Sequence, residues 1–295
     1  MQMIYVEAAR SPGVSVSAPI VVSLAGGALE GLAAGVEWSC NKLVGWWEST
    51  GTTGQVVQRS YQSGGWADEA FAEPRTLVVG GLLRAPDRVT ARVAVEALQG
   101  LLSRNVLVPF VVSEDGLSRY VMVRQEGKPV VEWITDTLVS WDIQLVAPDY
   151  RRFSGAGPTP TYSATVPLPR TQGGRVRPYT LPARISATVV SGSVDVVNVG
   201  SAVPPVVVRF DGPVSGPTVR MSDGQWLSFD LDVLPGQSLV VDLDARTVLL
   251  NGVSRRGTMR GRWLVLGPGG SSLSFDAASY DEAARMTVSW SDSWK

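Results

Sequence analysis

The sequence predicts a mainly β protein of two domains: a β-rich α+β domain with one main helix, then an antiparallel sandwich or barrel. Three observations predict it. Apolar and acidic residues alternate from Leu239 to Asp244, the period of two expected of a half-buried strand. The runs Arg246 to Leu250 and Trp263 to Leu266 stop at Asn251-Gly252 and Gly267-Pro268-Gly269-Gly270, turn formers that tolerate positive φ. Three strands and their stops therefore fall within about thirty residues, the spacing of a sandwich. Helical periodicity is convincing in one place, so helix and strand do not alternate and a Rossmann-type sheet is excluded.

Taken in order, Met3 to Glu7 reads as an opening strand. Gly13 to Leu29 carries no charge, but Val14, Val16, Ala18, Ile20, Val22 and Leu24 share one parity, and Pro19 and Gly26-Gly27 interrupt any long helix. With no basic cluster before it, the run predicts a strand and hairpin of a cytosolically made protein, not a signal peptide or a membrane span. Val36 to Trp47 is a further apolar stretch, ending in Gly45-Trp46-Trp47. From Glu48 to Gly65 the composition turns to Ser, Thr, Gly and Gln, which predicts a long hairpin or mobile loop able to carry function. Gly64 to Asp68 turns into a strand from Arg75 to Gly80.

The helix follows. Pro86 suits its first position, Asp87 favours the positive end of the dipole, and Val89, Val93, Ala97 and Leu101 recur at helical spacing through Leu102, with Asn105 as the stop. Val106 to Val112, Arg119 to Arg124, Val130 to Ile134 and Leu138 to Val146 are strand candidates, and residues 147–152 close the first domain, 1–153. Gly, Pro, Ser and Thr dominate 154–182, the expected linker. In the second domain, 183–295, strands are expected at Ala183 to Val190, Val194 to Val199, Val206 to Phe210, Val219 to Met221, Trp226 to Val233 and Arg285 to Trp290.

Composition removes much chemistry. The chain of 295 residues is long enough for two cores, and 44% hydrophobic against 18% charged residues makes it globular. A net charge of −1 argues against specific nucleic-acid binding, which rests on a basic excess. There is no histidine, so imidazole-based triads and ordinary His-containing metal sites are excluded. Cys40 is alone and reads as a small buried hydrophobe. No metal and no cofactor is expected.

What remains is a short set of candidates. Asp230 with Asp232, and Asp242 with Asp244, sit two apart, hence about 6 to 7 Å apart on one strand face, which overlaps the spacing of a glycosidase acid pair. Alternating Asp on a wet strand face is also ordinary solubility patterning, and that is the reading adopted. Trp46, Trp47 and Trp66 are candidate interface aromatics. Arg255 and Arg256, with Arg260 and Arg262, form a cationic loop suited to an intersubunit or partner contact, while Trp226 and Trp294 are expected to be exposed and able to stack on a host glycan. Trp263 and Trp290, in apolar runs, are expected in the core.

The order of several motifs resembles the distal tail (Dit-like) proteins of long-tailed, siphovirus-type bacteriophages, particularly minor tail proteins of phages that infect actinobacteria. The resemblance rests on Gly45-Trp46-Trp47, Gly65-Trp66-Ala67-Asp68, Arg75-Thr76-Leu77 ending in Gly80, the helix through Leu101, and Ala147-Pro148-Asp149. It continues through Asn198-Val199-Gly200, Gly212-Pro213, Asp242 with Arg246-Thr247-Val248, Asn251-Gly252, Trp263 before Leu266-Gly267-Pro268-Gly269, and Thr287-Val288-Ser289-Trp290. Ser291 departs from it, standing where such proteins often have arginine. It implies an N-terminal split barrel that assembles into a ring, usually hexameric, and a galectin-like C-terminal β-sandwich. It implies partners as well: further copies of the chain, the tail tube protein, the tail-tip or baseplate hub protein and the tape measure protein. The location would be the distal end of the virion's tail, around an axial channel for DNA, and no catalytic residue is implied.

Overall fold

The computed structural model describes residues 20–102, 106–173, 187–190, 192–279 and 281–295. The expected strand at Met3 to Glu7, the first part of the uncharged run and the stop at Asn105 lie outside them. The chain divides into two compact units between Thr159 and Pro160.

The first unit is an antiparallel sheet ordered Gly27–Ala28, Val21–Leu24, Val108–Glu114, Leu117–Gln125, Leu138–Ala147, Arg75–Arg84, Val36–Val44, Gly31–Ala33. Its first and last strands are separated by only Leu29 and Glu30 in the chain, so the sheet must curl until its edges almost meet. The result is a split barrel with a β-rich interior, as the alternation of the strands demands. On Leu138–Ala147, Val139, Trp141, Ile143, Leu145 and Ala147 all point inward and are buried. Gly81 permits the closest approach: a Cβ there would stand 1.8 Å from the Ser39 carbonyl oxygen, beside the register shift between Cys40 and Lys42.

The helix, Arg88–Leu102, is present, but its start differs from the expectation. Asp87 is its cap, its Oδ1 accepting the amides of Val89 and Thr90 at 2.9 Å each, so Pro86 lies outside the first turn. These hydrogen bonds hold the Asp87 carboxyl below its ordinary pKa. The stripe that carries the helical period faces outward at three of its positions: Val89 and Val93 are 64% and 55% exposed, and Ala97 is exposed too. Ala91, Val95 and Leu98 make the buried face, with Ala94 packed beside them. The sequence offers two apolar stripes at helical spacing, and only the barrel's packing decides between them.

The second unit is a β-sandwich. One sheet runs Tyr162–Pro167, Arg285–Trp290, Val206–Asp211, Ser238–Asp242, Thr247–Leu250, Val253–Ser254, and the other Ser193–Asn198, Gly269–Asp276, Thr218–Met221, Trp226–Phe229, Met259–Gly261. Residues of both sheets share one core, where Phe210 lies 6.0 Å from Phe229 and 5.5 Å from Phe275 between ring centroids.

Three corrections belong here. Part of the expected linker is structure: Tyr162–Pro167 pairs along all of Arg285–Trp290, because its alternate residues Ala164 and Val166 have a core to pack on. Trp263 to Leu266 is not a strand; Leu264 and Leu266 are buried from an irregular segment, so apolar content alone mimicked one. The strand that follows, Gly269–Asp276, was hidden by its Gly-Gly-Ser-Ser opening. Asn251-Gly252 does turn as expected, with φ of 46° and 82°.

Candidate functional site

Between the strands Val36–Val44 and Arg75–Arg84 the chain leaves the barrel as an arm. Thr52–Thr53 pairs with Phe71–Ala72 and Val56–Gln58 with Gly65–Ala67. Between and beyond these ladders the Asp68 amide donates to the Gln55 carbonyl at 3.0 Å, and the Arg59 amide to Gly64 at 3.1 Å. Gly65 has to be glycine, since a Cβ would stand 2.6 Å from Val56 Cγ1. The composition of 48–65 predicts a long hairpin or mobile loop; the hairpin runs on to Phe71–Ala72, and Gly65–Ala67, expected within a turn, is one of its strands.

Its side chains are what make it a candidate. Tyr61 is 98% exposed, Trp66 66%, and Val56, Val57 and Phe71 are exposed as well. None joins a buried core cluster. The Arg59 guanidinium lies 4.4 Å from the Trp66 ring centroid, the closest such stacking contact on the arm. A two-stranded ribbon with this much bare apolar surface is marginal in water, which makes it the candidate site.

The arm's root, in contrast, is fixed. Arg75 opens its strand fully buried, and Nη1 donates to the carbonyls of Gly45 at 2.6 Å and Glu48 at 2.7 Å while Nη2 and Nε reach that of Tyr150 at 3.0 and 3.2 Å. Burial lowers its pKa. Gly45 has φ +85°, and a Cβ there would meet the Thr76 carbonyl oxygen at 2.0 Å. Trp46 sits edge-on to Phe110 at 5.7 Å and is 1% exposed, so it is a core anchor and not the interface residue expected. Its carbonyl accepts from Arg152 Nη1 at 2.8 Å, and burial pushes the Arg152 guanidinium down to about 10. Trp47, next along, faces outward at 48% exposure. The Trp46-Trp47 pair thus points one ring in and one out. Tyr61, Phe71 and Arg152 were not among the candidates, and Arg75 entered only as the start of its strand and in the motif Arg75-Thr76-Leu77; an arginine opening an apolar strand was the available signal for the root.

In the second unit the carboxylate pairs dissolve. Asp242 ends its strand and its Oδ1 accepts the amides of Asp244 and Ala245 at 3.0 and 2.8 Å, which makes a turn, not a shared strand face. Asp230 lies outside a strand, 3.7 Å from Arg260, and Asp232 accepts from Ser215 Oγ at 2.5 Å. Arg255 and Arg256 are exposed, with Arg256 5.7 Å from the Trp263 centroid. Trp290 is buried and Trp263 half-buried; Trp294, expected to be exposed, is half-buried, while Trp226 is exposed at 41%. Cys40 is half-buried against the barrel core, and burial raises its thiol to about 11. Among the described residues no acidic, cysteine or histidine cluster could hold a metal, and no helix is long and apolar enough to cross a membrane.

Comparison with known proteins agrees with this architecture. Residues 200–294 match the family described as siphovirus-type tail component, C-terminal domain. No curated protein matches the sequence. Among solved structures, the crystal structure of SPP1 Dit (gp 19.1), described as a paradigm of the hub adsorption apparatus in phages infecting Gram-positive bacteria, superposes with a TM-score of 0.65 at 16% identity, covering 94% of this chain and 100% of that one. Chains of the phage p2 baseplate in its activated conformation, with strontium and with calcium, give TM-scores of 0.49 and 0.47 at 9% identity, over 92% of this chain and 97% of theirs. The chain therefore has the mainly β fold of the SPP1 Dit protein over nearly its whole length, and residues 200–294 match the siphovirus-type tail component C-terminal domain.

Proposed function

We propose that this protein is a structural component of a phage tail, a distal tail or baseplate hub adaptor that works by self-assembly and docking. The observation that carries the reading is the arm: five bare apolar side chains on a ribbon whose root is locked into the barrel by Arg75. A contact in which one copy reaches onto the next is heterologous, and when its rotation closes it makes a ring. The exposed helix stripe of Val89, Val93 and Ala97 is another uncovered apolar surface of the same unit, and it is the face we assign to receive the neighbour's arm. The resulting ring is hexameric, surrounds an axial channel for DNA, and joins the tail tube protein to the tail-tip or baseplate hub protein, with the tape measure protein as a further neighbour. The chain makes no bonds in this role.

The test is the mass and shape of the purified full-length protein by light scattering and negative-stain imaging. A hexameric annulus is expected, and Tyr61→Ser/Trp66→Ser/Phe71→Ser and Val93→Glu should each yield folded monomers. A wild-type protein that stays monomeric at every concentration and is absent from virions removes the proposal.

A further inference from the structure

We infer that the second unit carries a binding site for a neutral pyranose sugar, centred on Trp226. On the strand Trp226–Phe229, Leu227 and Phe229 turn into the core, so Trp226 and Ser228 face outward. That outward face is polar: Arg220 stands directly across from Trp226, and Ser274 directly across from Arg220. A large flat ring, 41% exposed, on such a face has no core to serve.

Trp226 forms part of an open depression of about 500 Å³ together with Asp223, Gly224, Gln225, Gly261 and Arg262. The ring is held before any ligand arrives. Gly261 has φ +95°, and a Cβ on it would stand 2.3 Å from the Trp226 carbonyl oxygen and 3.0 Å from ring atom Cε3, so only glycine lets the neighbouring chain lie against the indole. The Arg262 amide donates to that same carbonyl at 3.2 Å. Contact with Gly261 uses the Cε3 edge and still leaves the exposure just given.

The polar groups around the ring come in complementary kinds. The Gln225 side-chain amide donates to Asp223 Oδ2 at 2.6 Å and its backbone amide to Oδ1 at 2.9 Å, which fixes both side chains and leaves the Gln225 Oε1 and the remaining carboxylate lone pairs as acceptors. The Arg262 guanidinium, exposed and with no protein partner among the described residues, supplies donors. A sugar hydroxyl both donates and accepts, and a pyranose has an apolar C–H face above a hydroxyl rim. An aromatic platform in a depression lined by both acceptors and donors matches that pattern. Charge selects a neutral sugar: Asp223 balances Arg262, and Arg220 is occupied by Asp276 at 3.4 Å. A polyphosphate or uronate would require a positive excess that is not there.

The experiment is saturation-transfer difference NMR on the full-length protein with methyl glucopyranoside, methyl galactopyranoside, N-acetylglucosamine and, as an anionic probe, glucuronate. Transfer to the ring C–H protons of at least one neutral sugar is expected, with affinity falling about tenfold or more in Trp226→Ala and in Arg262→Met and unchanged in Trp133→Ala, an exposed aromatic of the first unit. Arg262→Met alters only an exposed loop side chain, so it decides the matter should Trp226→Ala fold poorly. The inference is overturned by no transfer from any neutral sugar at millimolar concentration, by equal transfer in the wild type and the Arg262 variant, or by binding confined to glucuronate.

Discussion

Arg75 shows how one side chain sets where the arm starts. Its guanidinium satisfies three carbonyls that have no ladder partner there, those of Gly45, Glu48 and Tyr150. Arg75→Met keeps the stem and strands the acceptors, so the first unit should lose roughly 3 kcal/mol or more in denaturant unfolding. Gly45→Ala, at φ +85° and with a backbone oxygen where its Cβ must go, should cost at least about 2 kcal/mol. Cys40 gives a pH signature. Its folded thiol is raised from 9.0 to about 11, so folding favours the protonated form. The stability this contributes is intact below the unfolded value and is lost as pH climbs through that window. Denaturation midpoints should decline from pH 9 to 11, a slope that Cys40→Ala flattens. Alkylation of the native thiol at pH 8 should be slower than that of a free cysteine.

At the scale of the element, the helix is the clearest case of pattern outrunning its meaning. Val89, Val93 and Ala97 repeat every four residues as a core stripe would, yet Ala91, Val95 and Leu98 hold the buried side. Leu98→Ala should therefore cost about 2 to 5 kcal/mol, whereas Val93→Ala should leave the unfolding free energy of the monomer within about 0.5 kcal/mol. If the two effects are reversed in thermal or chemical melts, the assignment of faces is wrong. The stretch from Trp263 to Leu266 and the strand Gly269–Asp276 make the complementary point. An apolar run can be buried without joining a ladder, and a Gly-Gly-Ser-Ser segment can join one when its neighbours are already paired. The Asp pairs show the same dependence: Asp242 is spent on a turn, so its spacing from Asp244 carried no information about chemistry.

For the whole molecule, the two units have separate cores, and the boundary between them lies before Tyr162–Pro167 rather than after it. A fragment beginning at residue 160 should melt cooperatively. One beginning at 183 lacks a strand, bares the edge of Arg285–Trp290 and uncovers apolar surface beneath Ala164 and Val166. It should melt lower and aggregate, as judged by calorimetry and light scattering. Assembly belongs to this scale as well. The arm's aromatics join no buried core cluster of their own unit, and under the proposed function the next copy covers them.

Composition and period determined a good deal alone. They determined the strand-rich class, the main helix, the turn at Asn251-Gly252 and the exclusion of imidazole chemistry, because each depends on local backbone preference or on which residues exist at all. Tertiary structure decided which helix stripe is inside, that Trp46 anchors while Trp47 is presented, and that Trp226 stands open in one depression with Arg262. Those outcomes turn on what packs against each face, and partners distant in sequence leave no trace in a residue's own neighbourhood.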